Sequence, residues 1–180
     1  MDPLDGTTNF AHGLPFVAVS VALWHRGEPV LGVIHIPRLG ETFTALRGSG
    51  AWLNSDPIRV SPSGELVTSL AATGFAYDIE ARAEEEVRRL KRVLVRMRGI
   101  RRMGAAAVDL AYTACGRFEA FYESGLKPWD TAAGWLLVEE AGGRVTTYED
   151  EPFHPSAANV LATNGRIHGE LSALLTEASG

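Results

Sequence analysis

Three apolar, β-branched runs follow one another with only short connections: residues 16–25 (FVAVSVALWH), 30–36 (VLGVIHI) and 41–47 (ETFTALR). The links are Arg26-Gly27-Glu28 and Arg38-Leu39-Gly40. Runs of this length and composition suit strands, and two- to four-residue links with glycine suit hairpins. A chain with this stretch is therefore committed to an antiparallel meander. Residues 51–54 and 58–60 read as short edge strands closing it. A break follows at Ser61-Pro62-Ser63-Gly64, which divides the chain into residues 1–64 and 65–180.

The second part alternates. Residues 70–73 and 118–123 read as strands, as do 144–148 and 159–163. Residues 80–98 read as a helix whose buried stripe is Val87, Leu90, Leu94 and Met97. Glu84, Glu85 and Glu86 near its start and Arg92, Arg96 and Arg98 near its end complement the helix dipole. Further helices are expected from Gly104 to about residue 115, from an N-capping Asp130 to residue 140, and over residues 167–177. Such alternation is α/β in character, so the whole is a layered α+β or α/β chain.

Composition narrows the function. With 180 residues, 46% hydrophobic and 22% charged, the chain can bury a real core. A net charge of −5 argues against general nucleic-acid binding, and the arginines around Arg88–Arg102 suit a solvated helix face. Cys115 is the only cysteine, so neither an internal disulfide nor a thiolate zinc site is available; a reducing cytoplasm fits. The first ten residues lack the pattern of a signal peptide, and no apolar run reaches spanning length. The five histidines, including His12 and His154, are scattered without metal-binding spacing.

Chemistry concentrates in two stretches. Asp2-Pro3-Leu4-Asp5-Gly6-Thr7-Thr8-Asn9-Phe10 holds two carboxylates three residues apart, then a glycine and two hydroxyls. Pro3 disfavours helix at Asp2 and Gly6 marks a sharp turn, so a loop is expected. It could aim Asp2, Asp5 and the Leu4 carbonyl at one hard cation, Mg²⁺ before Zn²⁺. It could equally be a turn bonded to its own backbone. Trp129-Asp130-Thr131-Ala132-Ala133-Gly134 offers Asp130, either as a helix cap or as a third carboxylate on the same cluster. No GxSxG nucleophile elbow is present, and Cys115 sits in an apolar run.

The pair DPLDGTTNF and WDTAAG, in this order, resembles the inositol monophosphatase family of Mg²⁺-dependent, lithium-sensitive sugar-phosphate phosphatases. The segments Gly104–Ala107 and Tyr122–Gly125 resemble it too. The resemblance implies that family's layered sheets and helices and a phosphomonoester hydrolase acting on inositol phosphate or a related sugar phosphate. It implies Asp2, the Leu4 carbonyl, Asp5 and Asp130 as metal ligands. Thr7 and Asp5 would be catalytic. Gly6, Thr7, Gly104, Ala105, Ala106, Glu123 and Asp130 would bind substrate, Glu123 through hydroxyls. From the residues alone, Gly104–Ala106 could equally be helix packing and Glu123 a strand-end acid.

Family members carry a region before this point, including a glutamate that binds metal and orients water. No residue upstream of Asp2 supplies it here, so the chain reads as a member beginning in mid-domain, with an exposed sheet face or edge. Weak or single-site Mg²⁺ binding and impaired turnover are expected, unless Glu28, Glu41 or a partner subunit substitutes. A homodimer is the expected assembly. The alternatives are a histidinol-phosphate, fructose-bisphosphate or nucleotide 3′-phosphate phosphatase, or a catalytically incomplete protein that contacts the transcription machinery.

Overall fold

The structure is a computed structural model that describes residues 1–75 and 79–177. The chain opens with β1 (Asp2–Asp5) and a single helical turn, α1 (Thr7–Ala11). The meander follows as β2 (Ala18–His25), β3 (Glu28–Ile36), β4 (Glu41–Leu46), β5 (Gly50–Leu53) and β6 (Asp56–Pro57). These six strands form one antiparallel sheet in chain order. The anticipated strand at residues 58–60 is displaced to Asp56–Pro57. The Ile58 amide still bonds the Ala51 carbonyl of β5, and the backbone then leaves the sheet, the Val60 amide bonding the Ala141 carbonyl instead.

The first stretch is not the loop its proline suggested. Asp2 and Asp5 pair with Ser20 and Ala18 of β2, with a register irregularity between them. Pro3 is tolerated because β1 is an edge strand and the bulge removes the need for its missing N–H. The local bond of the turn reading is present as well, since the Leu4 amide donates to Asp2 Oδ1 at 2.9 Å.

After a 3₁₀ turn (Leu66–Thr68) come β7 (Leu70–Thr73), α2 (Ile79–Leu94), β8 (Gly99–Arg101), α3 (Ala106–Ala114) and β9 (Ala120–Ser124). Then come α4 (Pro128–Glu140), β10 (Arg144–Thr146), β11 (Asn159–Thr163) and α5 (His168–Thr176). The second sheet has the order β10-β11-β9-β7-β8. β7 runs parallel to both β8 and β9, and the other pairs are antiparallel.

Two clusters define the layers. One joins Ala18, Ile34, Ile36 and Phe43 of the first sheet to Leu110 and Leu136 of α3 and α4, and these to Phe121, Val160 and Ala162 of the second sheet. The other packs Leu171 and Leu175 of α5, with Val93 and Met97, on Ala71, Tyr122 and Leu161 from the opposite side. The order is thus sheet, helix pair, sheet, helix pair. α4 lies between sheets and is apolar almost all round, as a helix buried on both sides must be. The outer face of the first sheet, with Leu23 and Leu46 exposed and Val21, Leu31 and Val33 half-buried, has no covering element among the described residues.

The stripe expected on α2 is rotated. Val87 and Leu94 are exposed, while Glu86, Val93 and Met97 are buried and Leu90 is half-buried. A polar network takes the inward position. Glu86 accepts from Ser124 Oγ at 2.8 Å and from Arg89 at 3.2 Å. Arg89 and Arg92 in turn donate to the Leu175 and Leu174 carbonyls, capping the end of α5. The helix also stops at Leu94, four residues before the expected end.

Candidate active site

Three carboxylates meet where β1, α3 and α4 approach one another. Asp5 accepts from the Ala107 amide in the first turn of α3 at 2.7 Å. Asp130 does not occupy the N-cap of α4. Pro128 starts that helix, so Asp130 falls in its first turn and reaches back to accept from the Lys127 amide at 2.8 Å. Each of Asp2, Asp5 and Asp130 therefore has one oxygen held by a backbone amide, of Leu4, Ala107 and Lys127 respectively. The anchoring fixes each side chain's orientation.

The acids feel one another. Burial, then the Asp130 and Asp2 charges, push Asp5 up to about 7, against the opposing Ala107 bond. Asp130 is raised by burial and by the Asp2 charge, against the opposing Lys127 amide bond. Two further acids lie behind them. Glu123 is pushed up to about 8 by burial and then by Asp5, and Asp109 is raised well above the usual carboxylate range by burial, then Glu123 and Asp5. Arg102 opposes both shifts, and its guanidinium lies 5.7 Å from the Phe75 ring centroid.

Among the described residues, no group of three or more His, Cys, Asp or Glu side chains is arranged ready to hold a metal ion. The donor set is nevertheless the one a hard cation uses, carboxylate oxygens with a backbone carbonyl within reach of the same strand. Mutually repelling carboxylates part or protonate until a cation offsets them. A positive charge placed among these raised acids would lower the cost of ionising them.

The remaining positions fall around this centre. Gly6 is left-handed at φ +81°, and a Cβ there would lie 2.7 Å from the Phe16 carbonyl and 3.2 Å from Ala105 Cβ. The Gly6 turn after β1 thus packs directly on the Gly104–Ala106 segment. Gly104, expected to begin α3, instead precedes it at φ +80°, and Ala105 is the N-cap. Thr7 is exposed at the start of α1. His12 is exposed, and His154 bonds Ser156 and packs on Trp24. Glu41 is held at 2.6 and 2.9 Å by Arg117, and its Oε2 also accepts from Tyr112 at 3.1 Å, so it is not a spare carboxylate. The Cys115 thiol is raised by burial and donates to the Tyr112 carbonyl, the behaviour of a packing residue.

Asp109 and Asn9 escaped the sequence reading. Asp109 is 1% exposed and its Oδ1 has no hydrogen-bond partner. Its signal was weak, one acid inside an Ala-rich helix. Asn9 is buried and donates 2.7 Å bonds to both the Phe16 and Met103 carbonyls, tying the segment after α1 to the one before α3. Its position inside the TTNF run was the available clue.

The profile of the inositol monophosphatase family matches residues 1–179. An inositol-1-monophosphatase from Synechocystis is 45% identical over 97% of this chain and 61% of its own length. The Nus factor SuhB from Xylella fastidiosa is 43% identical over 93% of this chain and 63% of its own. The chain thus spans somewhat under two thirds of these curated relatives. The solved inositol monophosphatase from Anabaena superposes with a TM-score of 0.95 at 45% identity, covering 98% of this chain and 70% of that one. With its layered sheets and helices, the chain belongs to the inositol monophosphatase family.

Proposed function

We propose that the chain is the metal-binding and substrate-binding part of a Mg²⁺-dependent phosphomonoester hydrolase acting on inositol phosphate or a related sugar phosphate. One observation carries the reading. Asp2 and Asp5 come from β1 and Asp130 from α4, and each is oriented by its own backbone amide, of Leu4, Ala107 and Lys127 respectively, while sharing one electrostatic site. A purely structural cluster of acids has no reason to be held in mutual repulsion.

Asp2, Asp5, Asp130 and the Leu4 carbonyl would hold Mg²⁺, which supplies charge neutralisation at the phosphoryl oxygens and lowers the pKa of a bound water. The Thr7 hydroxyl would help to activate the attacking water by accepting a hydrogen bond from it, the role of the threonine it resembles in the family. The Gly6 and Thr7 amides face the phosphate. Gly104, Ala105 and Ala106 present backbone to the substrate ring, and Glu123 accepts hydrogen bonds from its hydroxyls. No covalent phospho-enzyme is required. Residues 1–64 and 65–180 act as two subdomains, with the site where they meet. We further propose a homodimer in the cytoplasm. No described helix is long and apolar enough to cross a membrane.

The test is phosphate release from inositol 1-phosphate with Mg²⁺ and with chelator, beside calorimetric Mg²⁺ titration of Asp2→Asn and Asp130→Asn. Chelator-sensitive release and a loss of about tenfold or more in Mg²⁺ affinity are expected for each variant. Unchanged affinity in Asp2→Asn would remove the metal assignment. The name Nus factor on one relative favours a second reading, contact with transcription proteins. Binding to such proteins by a variant without Mg²⁺ affinity would support it.

A further inference from the structure

β7 and β9 run parallel, and their register pairs Thr73 with Tyr122. The Thr73 hydroxyl locks that register by donating to the Tyr122 carbonyl at 2.8 Å. The next residue on each strand is therefore brought level, Gly74 beside Glu123. A Cβ built on Gly74 would overlap the Glu123 carboxylate itself, with Oε1, Oε2 and Cδ as its three nearest atoms. The carboxyl group occupies the space an alanine methyl would fill. Gly74 has no positive φ, so its backbone could accept any residue, and only the missing side chain is needed.

Glu123 has no easy retreat. It is 9% exposed, lies on the central strand of its sheet, and shares its surroundings with Asp109 and Asp5. Moving its carboxylate away from Gly74 means repositioning it among Asp5, Asp109 and Arg102, whose charges act on one another here. We propose that Gly74 is a positioning residue for Glu123, its bare Cα forming the seat that fixes the carboxylate where it meets the substrate ring. The functional half of this rests on the phosphatase reading above. The steric half does not.

The test is a double-mutant cycle of Gly74→Ala, Glu123→Asp and the pair, read in two ways. Aspartate is one methylene shorter than glutamate and draws the carboxylate back from the added methyl. With inositol 1-phosphate and Mg²⁺, Gly74→Ala should raise KM about tenfold, the size of one lost hydrogen bond to a charged acceptor, with kcat little changed. In the Glu123→Asp background the same alanine should raise KM little or not at all. Thermal midpoints should show the same coupling, with Gly74→Ala lowering the midpoint in the parent and sparing it in the Glu123→Asp background. Equal effects of Gly74→Ala in both backgrounds, in KM and midpoint alike, would overturn the proposal. Coupled midpoints without turnover by any variant would uphold the seat and count against the phosphatase reading.

Discussion

Asn9 commits its side-chain amide to two carbonyls on different segments, Phe16 and Met103, at 2.7 Å each. It is 6% exposed, so its removal strands both acceptors away from water. Asn9→Ala should cost about 1–3 kcal/mol in stability. It should also weaken Mg²⁺ binding, because the Gly6 turn then loses its tie to the Gly104 loop; denaturant melts and a metal titration of one preparation check both. His168 gives a pH-dependent counterpart far from the acids. Its ring lies between Thr146 and Thr163 hydroxyls at 2.8 Å, with Asp150 at 3.2 Å. Burial and then the Arg144 charge lower its pKa from 6.5, against the pull of Asp150. The unfolded chain then binds the proton first as pH falls. Stability is intact above pH 6.5 and is lost as pH drops through 6.5 toward the lower folded value, by at most about 1.4 kcal/mol per pH unit for one proton. Comparing midpoints at about pH 7.5 and about pH 5.5 should show a drop that is smaller in His168→Gln.

At the scale of elements, the packing of α3 on α4 depends on a single missing methyl. A Cβ on Gly134 would lie 2.5 Å from both Cβ and Cδ1 of Leu110. Leu110 Cβ is fixed to its backbone and cannot rotate away. Alanine would gain roughly 1 kcal/mol of helix propensity over glycine. Separating two buried helices costs more, about 1–3 kcal/mol for one intruding carbon, so Gly134→Ala should destabilise overall. Because α4 carries Asp130 and α3 supplies the Ala107 amide to Asp5, the variant should also lose Mg²⁺ affinity. A variant more stable than the parent would show that the helices yield freely. The strands of the meander were legible because half-buried antiparallel strands announce themselves by composition and by glycine turns. α2 was legible in place but not in phase. Of the stripe Val87, Leu90, Leu94 and Met97, Met97 is buried and Leu90 half-buried, but Val87 and Leu94 face solvent, and Glu86, compensated by Ser124 and Arg89, turns inward. Pairwise compensation between distant residues leaves no mark on periodicity. For the same reason the motif acids could be named in advance while Asp109 and the seat at Gly74 could not, since both take their meaning from Glu123, a neighbour in space that is remote in sequence.

On the whole-molecule scale, the composition break at residues 61–64 separates the two sheets in sequence without separating their cores. Ile34 and Phe43 of the first sheet belong to the same buried cluster as Phe121 and Val160 of the second, bridged by Leu110, Leu136 and Leu137. The site depends on that continuity, since Asp2 and Asp5 come from one side and Asp130 and Ala107 from the other. A shared core of this kind couples the unfolding of its parts, because opening either sheet exposes the helices that the other needs. Ile34 is completely buried, so Ile34→Ala should cost about 2–5 kcal/mol. For a chain of this size that corresponds to a fall of roughly 5–20 °C in the thermal midpoint. The fall should be equal whether unfolding is followed by far-ultraviolet dichroism, which weights the helices of the second part, or by fluorescence of Trp24 and Trp52 in the first sheet, isolated by replacing Trp129 and Trp135 with phenylalanine. A midpoint lowered in the tryptophan signal alone would mean that the subdomains melt independently. The carboxylate cluster would then have to assemble from two moving halves rather than being held by one core.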